Sequence, residues 1–419
     1  MMRSMFAGVS GTRAHQVRMD VIGNNIANVN TVGYKYGRAT FQDMLSQTLR
    51  GSMAPTGNRG GVDPMQVGLG VMLRSIDIVF TPGNLESTGK LTDMAIQGNG
   101  FFVVRDSAGS LMYTRDGAFK IDAAGNLVHP STGYQVQGWK ADATGEIDRS
   151  MPIEAIGIPL GTSMSAQATS KVTFVGNLNN STQVAGPPVP PATETPADYS
   201  TSVPVYDSQG TQHTLIMEFR KTGDNKWEWK AKFGSAPPVI GTVNFDENGQ
   251  FSSVVPDPPT IAIADPGTGA APLSITPDFS AITQVGDESS VSWSTQNGYP
   301  AGSLETFNID DRGIITGVYS NGQYKTLGQM VLASFANSEG LMRQSNNMYA
   351  ETTNSGAPQL GEATKGGRGA VLGTTLEMSN VDLAREFTDM IVTQRGFQAN
   401  SRVITAADEM LQELLALKR

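Results

Sequence analysis

The last forty residues carry the pattern that most limits what this chain can fold into. Positions 383, 387, 390, 394, 397, 401, 404, 408, 411 and 415 alternate steps of four and three. Seven of the ten are apolar: Leu383, Phe387, Met390, Phe397, Ile404, Leu411 and Leu415. That spacing puts them on one stripe of an α-helix. No proline follows Ser379, and the run Ser379–Asp382 offers a capping box. One helix of roughly 35–40 residues is predicted, about 50–60 Å long at 1.5 Å per residue. So long a helix with a narrow apolar seam has no globule of its own to cover it. It calls for a coiled coil or for packing against copies of the same chain.

A weaker helix is predicted at the other end. Met5, Val9, Met19, Ile22, Ile26 and Val29 fall in the same spacing, with Thr12 and Gln16 filling the gap in register. Gly8, Gly11 and Gly23 each cost about 1 kcal/mol against alanine, so this helix should order only when packed on the C-terminal one and on neighbours. Its end reads IGNNIANVNTVGYK. Asn24, Asn25, Asn28 and Asn30 tolerate left-handed backbone, and Gly33 adopts it at no cost, so the stretch from Asn24 through Thr31 to Gly33 is expected to stop the helix and turn the chain. Tyr34 and Lys35 are not needed for a helix stop and are assigned to inter-subunit or inter-domain packing.

Between the ends the period changes. Asp106–Gly109, Asp122–Gly125, Asp142–Gly145, Asp207–Gly210, Asp246–Gly249 and Asp310–Gly313 all read D-x-x-G, and short alternating or apolar runs such as FFVV, TLIMEF and KWEWKAKF lie between them. Asp first and Gly fourth suit a type I turn with a bulge, so the middle is a chain of β-hairpins. Gly- and Pro-rich stretches at 51–70, 186–197 and 255–272 read as linkers or loops, and 364–373 as a flexible connector before the C-terminal helix.

Several functions are argued against by composition. There are no cysteines, which removes disulfides, zinc-thiolate sites and cysteine nucleophiles. A net charge of −9 gives no basic footprint for nucleic acid or an anionic membrane surface. No run approaches the ~18 apolar residues of a membrane span, and no leader layout is present, so export would need a route without a cleaved leader. His15, His129 and His213 are scattered in sequence, and no metal site, cofactor site or catalytic constellation is expected. Trp227 and Trp229 share one face of a strand and could stack a sugar ring, but a hydrophobic module face is the simpler expectation.

The quoted motifs then acquire a family. DVIGNNIANVNTVGYK (Asp20–Lys35) closely resembles the N-terminal signature of bacterial flagellar rod and hook proteins. So do Gly83–Val104, Tyr113–Trp139, Ser345–Pro358 and Ser379–Leu414, in family order. Phe174–Thr182 and Val203–Phe219, inside an insert of roughly 150 residues, look like the hook members. Residues 42–66 depart from the compact hook pattern and look rod-like. The resemblance implies a mainly β protein with α-helical coiled-coil termini and discontinuous layered domains. Residues 1–32 and 374–419 would form an inner tube and 33–72 an extended linker. An inner β domain would take 73–148 and 299–373, and an inserted outer β-barrel or sandwich-like domain 149–298. It implies no enzyme activity. The expected product is a helical homopolymer forming a curved, flexible tube between rod and filament. The expected partners are rod proteins, hook cap, hook–filament junction proteins and the flagellar type III export machinery. An enlarged rod-type axial protein, or an extracellular glycan-binding β module, are the alternatives.

Overall fold

The computed structural model describes residues 2–416 except 56, 58, 160, 185–196, 235, 265, 267 and 268. The Pro-rich loop expected at 186–197 therefore falls, but for Ala197, outside the described residues. The chain is mainly β with two long helices. It divides into two compact units: Met1–Pro159, Phe307–Gly317 and Lys325–Arg419 in the first, Leu160–Thr306 and Val318–Tyr324 in the second.

In the first unit, helix α1 (Met2–Ala27) and helix α2 (Leu383–Ala416) run antiparallel, Gly8 meeting Ile404, Gly11 meeting Asn400 and His15 meeting Gly396. Small residues make this contact. A Cβ on Gly8 would stand 3.0 Å from Ile404 Cγ1 and 3.3 Å from the Asn400 carbonyl; on Gly11 it would lie 2.7 Å from the Asn400 amide. Around Gly23 the space is open. Two of the three glycines that weaken α1 thus let the helix axes approach. The cap of α2 is Asp382, whose Oδ1 accepts from the N–H groups of Ala384 and Arg385 at 2.9 and 3.2 Å. The helix starts later than a Ser379 capping box would place it, because Asn380 is committed to bonds with Tyr36, Val79 and Thr81.

After α1 the chain forms an antiparallel pair, Gly37–Asp43 with Val71–Ile78, continued by Ser46–Arg50 with Met65–Gly68. The stretch read as a linker is therefore partly a β arm. A core of this unit gathers Phe101, Val103, Tyr113, Trp139, Val331 and Tyr349, with Phe80, Phe101 and Tyr349 meeting edge to face. Two late segments close the unit: Ala370–Gly373 pairs with Met94–Gln97, and Thr375–Glu377 with Leu85–Ser87. The expected flexible connector at 364–373 thus ends as a paired strand.

Two sheets make up most of the second unit. One is an antiparallel meander in the order Tyr199–Tyr206, Gln212–Gly223, Lys226–Phe233, Val239–Phe245, Phe251–Val255. The other orders Ile261–Ile263, Leu273–Val285, Lys171–Asn179 and Ser292–Gln296, its two long strands parallel. They form no closed barrel among the described residues, so the sandwich alternative holds. Trp227 and Trp229 are fully buried in the core the sheets share, and Trp227 Nε1 donates to Gln284. No face is left for a sugar to stack on. The unit's long segment opens and closes on adjacent strands, Ser163 and Met164 pairing with Ser303 and Gly302, and the chain returns to the unit over Val318–Tyr324.

All six D-x-x-G segments are turns of one design. The glycine has φ between +73° and +88°. Each aspartate Oδ1 accepts the N–H groups two and four residues on, as Asp122 does from Ala124 and Asn126. His129 and His213 sit beside Asp116 and Asp207, at 3.2 and 3.0 Å, contacts that sequence distance had hidden. Among the described residues no three metal-ligating side chains converge.

The two kinds of glycine in α1 should answer substitution oppositely. In the soluble chain Gly23→Ala should raise helicity, by about the 1 kcal/mol that separates Gly from Ala. Gly8→Val should lower it by forcing α1 off α2, both read by circular dichroism during thermal unfolding.

Candidate assembly interface

The asparagine corner works through side chains and not through left-handed backbone. None of Asn24, Asn25, Asn28 and Asn30 has positive φ; Gly33 does, at +67°. Asn28 ends α1 by donating its amide to the Asn24 carbonyl at 2.8 Å, and its Oδ1 accepts from Thr31. Asn25, buried, mimics a peptide: it donates to Gly37 O at 2.8 Å and accepts from Gly37 N at 2.9 Å. The same amide reaches Glu386 of α2 at 3.2 Å, and Tyr34 Oη donates to its oxygen. Asn30 is exposed. At Gly33 a Cβ would strike the Arg115 carbonyl region at 2.7–2.8 Å, so only glycine passes there.

Beyond the corner lies a buried charge cluster. Lys35, fully enclosed, donates to Glu377 Oε1 at 2.5 Å and to Thr81 O at 2.8 Å. Arg115 donates to Glu377 Oε2 at 3.2 Å and to the carbonyls of Ile96 and Gly98. Gly83 N–H also donates to Glu377, at 2.9 Å. Burial pulls Lys35 below the ordinary ammonium value, with the Glu377 carboxylate opposing. Tyr34 and Lys35 are thus spent inside the first unit, on its own packing. Arg115, Glu377, Glu386 and Asn380 escaped sequence reading, because their partners lie far away in the chain.

What remains outside this node is an unusual amount of uncovered apolar surface. Of the expected seam residues, Ile22 is buried and Met5, Met19 and Ile26 are half-buried, while Val9 is exposed. On α2, Met390, Phe397, Ile404 and Leu411 are half-buried, and Leu383, Phe387 and Leu415 are exposed. The most buried α2 positions are instead Glu386, Thr393 and Ala407, with Asn400 and Ile404 set against Gly11 and Gly8 of α1. Other large side chains are exposed: Phe6 is 61% exposed, Ile391 59% and Leu415 71%. The β arm adds Met44, Leu49, Met53 and Met65, and Leu45 at 74%. Patches on this scale mark interaction surfaces.

Two substitutions test the node. Glu377→Gln leaves two buried cations without their carboxylate and should cost about 3–5 kcal/mol in urea unfolding of the first unit. Burial raises the Glu386 carboxyl above its ordinary value, with Asp389 adding and the Asn25 bond opposing. The fold therefore holds that proton more tightly than the unfolded chain does, and stability falls as pH rises through the raised value. Glu386→Gln should be more stable than the parent at about pH 7, with the gap closing near pH 4.

Comparison with known proteins agrees with this architecture. Residues 5–35 match the flagella basal body rod protein family, and 95–174 the flagellar hook protein FlgE/F/G D1 domain. Residues 177–299 match the flagellar basal body protein FlaE D2 domain, and 373–417 the flagellar basal body rod FlgEFG protein C-terminal family. The chain is 41% identical to the flagellar hook protein FlgE of Treponema pallidum over 100% of both chains. It is 39% identical to that of Escherichia coli over 98% of both. A crystal structure of Helicobacter pylori flagellar hook protein FlgE2 shares the fold, with a TM-score of 0.55 at 18% identity over 71% of this chain and 100% of that one. Similarity of this extent makes the chain a member of the flagellar hook protein family.

Proposed function

We propose that the chain is the subunit of a curved, flexible tube, the joint that passes torque from rod to filament. The observation that carries this reading is the outward apolar surface of α1, α2 and the β arm, which the folded chain leaves uncovered. Burying such side chains is worth about 1.5–3 kcal/mol each, enough to hold a polymer without covalent links. Residues 1–32 and 374–419 then line the tube. Residues 33–72 bridge outward, and 73–148 with 299–373 surround the helices. Residues 149–298 face outward, with polar, replaceable contacts that permit bending. Rod proteins, a cap and junction proteins would meet the tube's ends. The subunit would leave the cell through the flagellar type III apparatus without a cleaved leader. An enlarged rod protein is the second reading, favoured by the rod-like stretch 42–66 and disfavoured by the large second unit.

Electron microscopy of isolated flagella, labelled with antibody against residues 197–255, separates the two. Label on the curved segment outside the envelope is the expected result, and label confined within the envelope would make the chain a rod protein. In the assembled polymer, amide exchange of α1 and α2 should slow by orders of magnitude relative to the soluble chain, while the surface loops of the second unit keep their rates.

A further inference from the structure

Alongside α1 lies a groove of about 570 Å³, walled by Phe6, Val9 and Val17 on one side and by Met44, Leu69 and Met72 on the other. Arg3 and Arg13 stand at its rim. No carboxylate and no residue of α2 lines it, and neither arginine has an ion-pair partner among the described residues. The groove is apolar, basic at its edge and left open by the described residues of its own chain.

A matching surface exists on the same molecule. Residues 403–416, the last turns of α2, carry Asp408, Glu409 and Glu413 and no basic residue. Val403 and Met410, seven residues apart and both exposed, form one ridge, with Glu409 and Glu413 along its flank. Arg3 lies in the first turn of α1 and Glu413 in the last turn of α2, which has no basic residue, so each of these two charges opposes its own helix dipole. A charge held against its own dipole is relieved by an opposite charge from elsewhere.

We infer that this groove receives the last turns of α2 from a second copy of the chain, Val403 and Met410 entering it while Glu409 and Glu413 meet Arg3 and Arg13. The inference rests on the self-assembly reading above and adds to it a specific contact. It also gives the contact a direction, since the donor's C-terminal helix and the acceptor's N-terminal helix are different surfaces. Such a heterologous contact repeats along a helical assembly.

The absence of cysteine makes the test clean. The chain carrying Val9→Cys and Met410→Cys has only those two thiols, and its oxidised polymer should give a ladder of disulfide-linked chains on a non-reducing gel. Arg3→Glu with Arg13→Glu should raise the concentration needed for polymer about tenfold, and adding Glu409→Lys with Glu413→Lys should recover most of the loss. Polymer without a ladder, a disulfide closed within one chain, or charge reversals without effect would each overturn the inference. So would a ladder from Val9→Cys paired with Leu49→Cys in place of Met410→Cys, which would seat the neighbour's β arm in the groove. A parent chain that never polymerises would refute the self-assembly reading itself, and this contact with it.

Discussion

Glu377 holds together parts of the chain that are far apart in sequence. Its two carboxylate oxygens bind Lys35 and Arg115, its backbone carbonyl accepts from Gly33, and Gly83 donates to its side chain. The exit from α1, the inner β core and the approach to α2 are therefore fixed at one point. A buried carboxylate between two cations is costly to expose and costly to leave unmatched, so the arrangement is closed to partial versions. With that point fixed, Asn25 and Glu386 set how α1 lies on α2, and Asn380 sets where α2 begins.

The helix pair then divides its residues in a way opposite to an ordinary globule. Glycine, alanine, threonine and asparagine, with Ile22 and Ile404, make the contact between the helices, while Phe6, Phe387, Ile391 and Leu415 are exposed. Close approach of the two axes substitutes for bulky filling, through the many small dispersion contacts that close packing permits. The large side chains are thereby kept for surfaces outside the chain. A folded subunit with this distribution is a part of something larger.

Much of this was legible in sequence. The α2 period, the six aspartate turns and the break between helical ends and a β middle rest on local patterns, and the structure reproduces them. The face of α2 that meets α1 was not legible, because apolar periodicity reports which residues seek cover and does not say whose cover they find. The mechanism of the asparagine corner was misread for a related reason: left-handed tolerance is a property of a residue alone, whereas Asn25 bonding both groups of Gly37 needs the folded partner. Glu377 and Arg115, 262 residues apart, could not be paired by any local rule.

The pairing of Ser163 and Met164 with Ser303 and Gly302 sets the two ends of the second unit's long segment side by side. The run between those strands, 165–301, begins and ends at one place, so it can be lengthened, shortened or exchanged without stretching the chain that carries it. That run shares no residue with the helix pair or the buried Glu377 cluster, so its size and charge can change while both stay as they are.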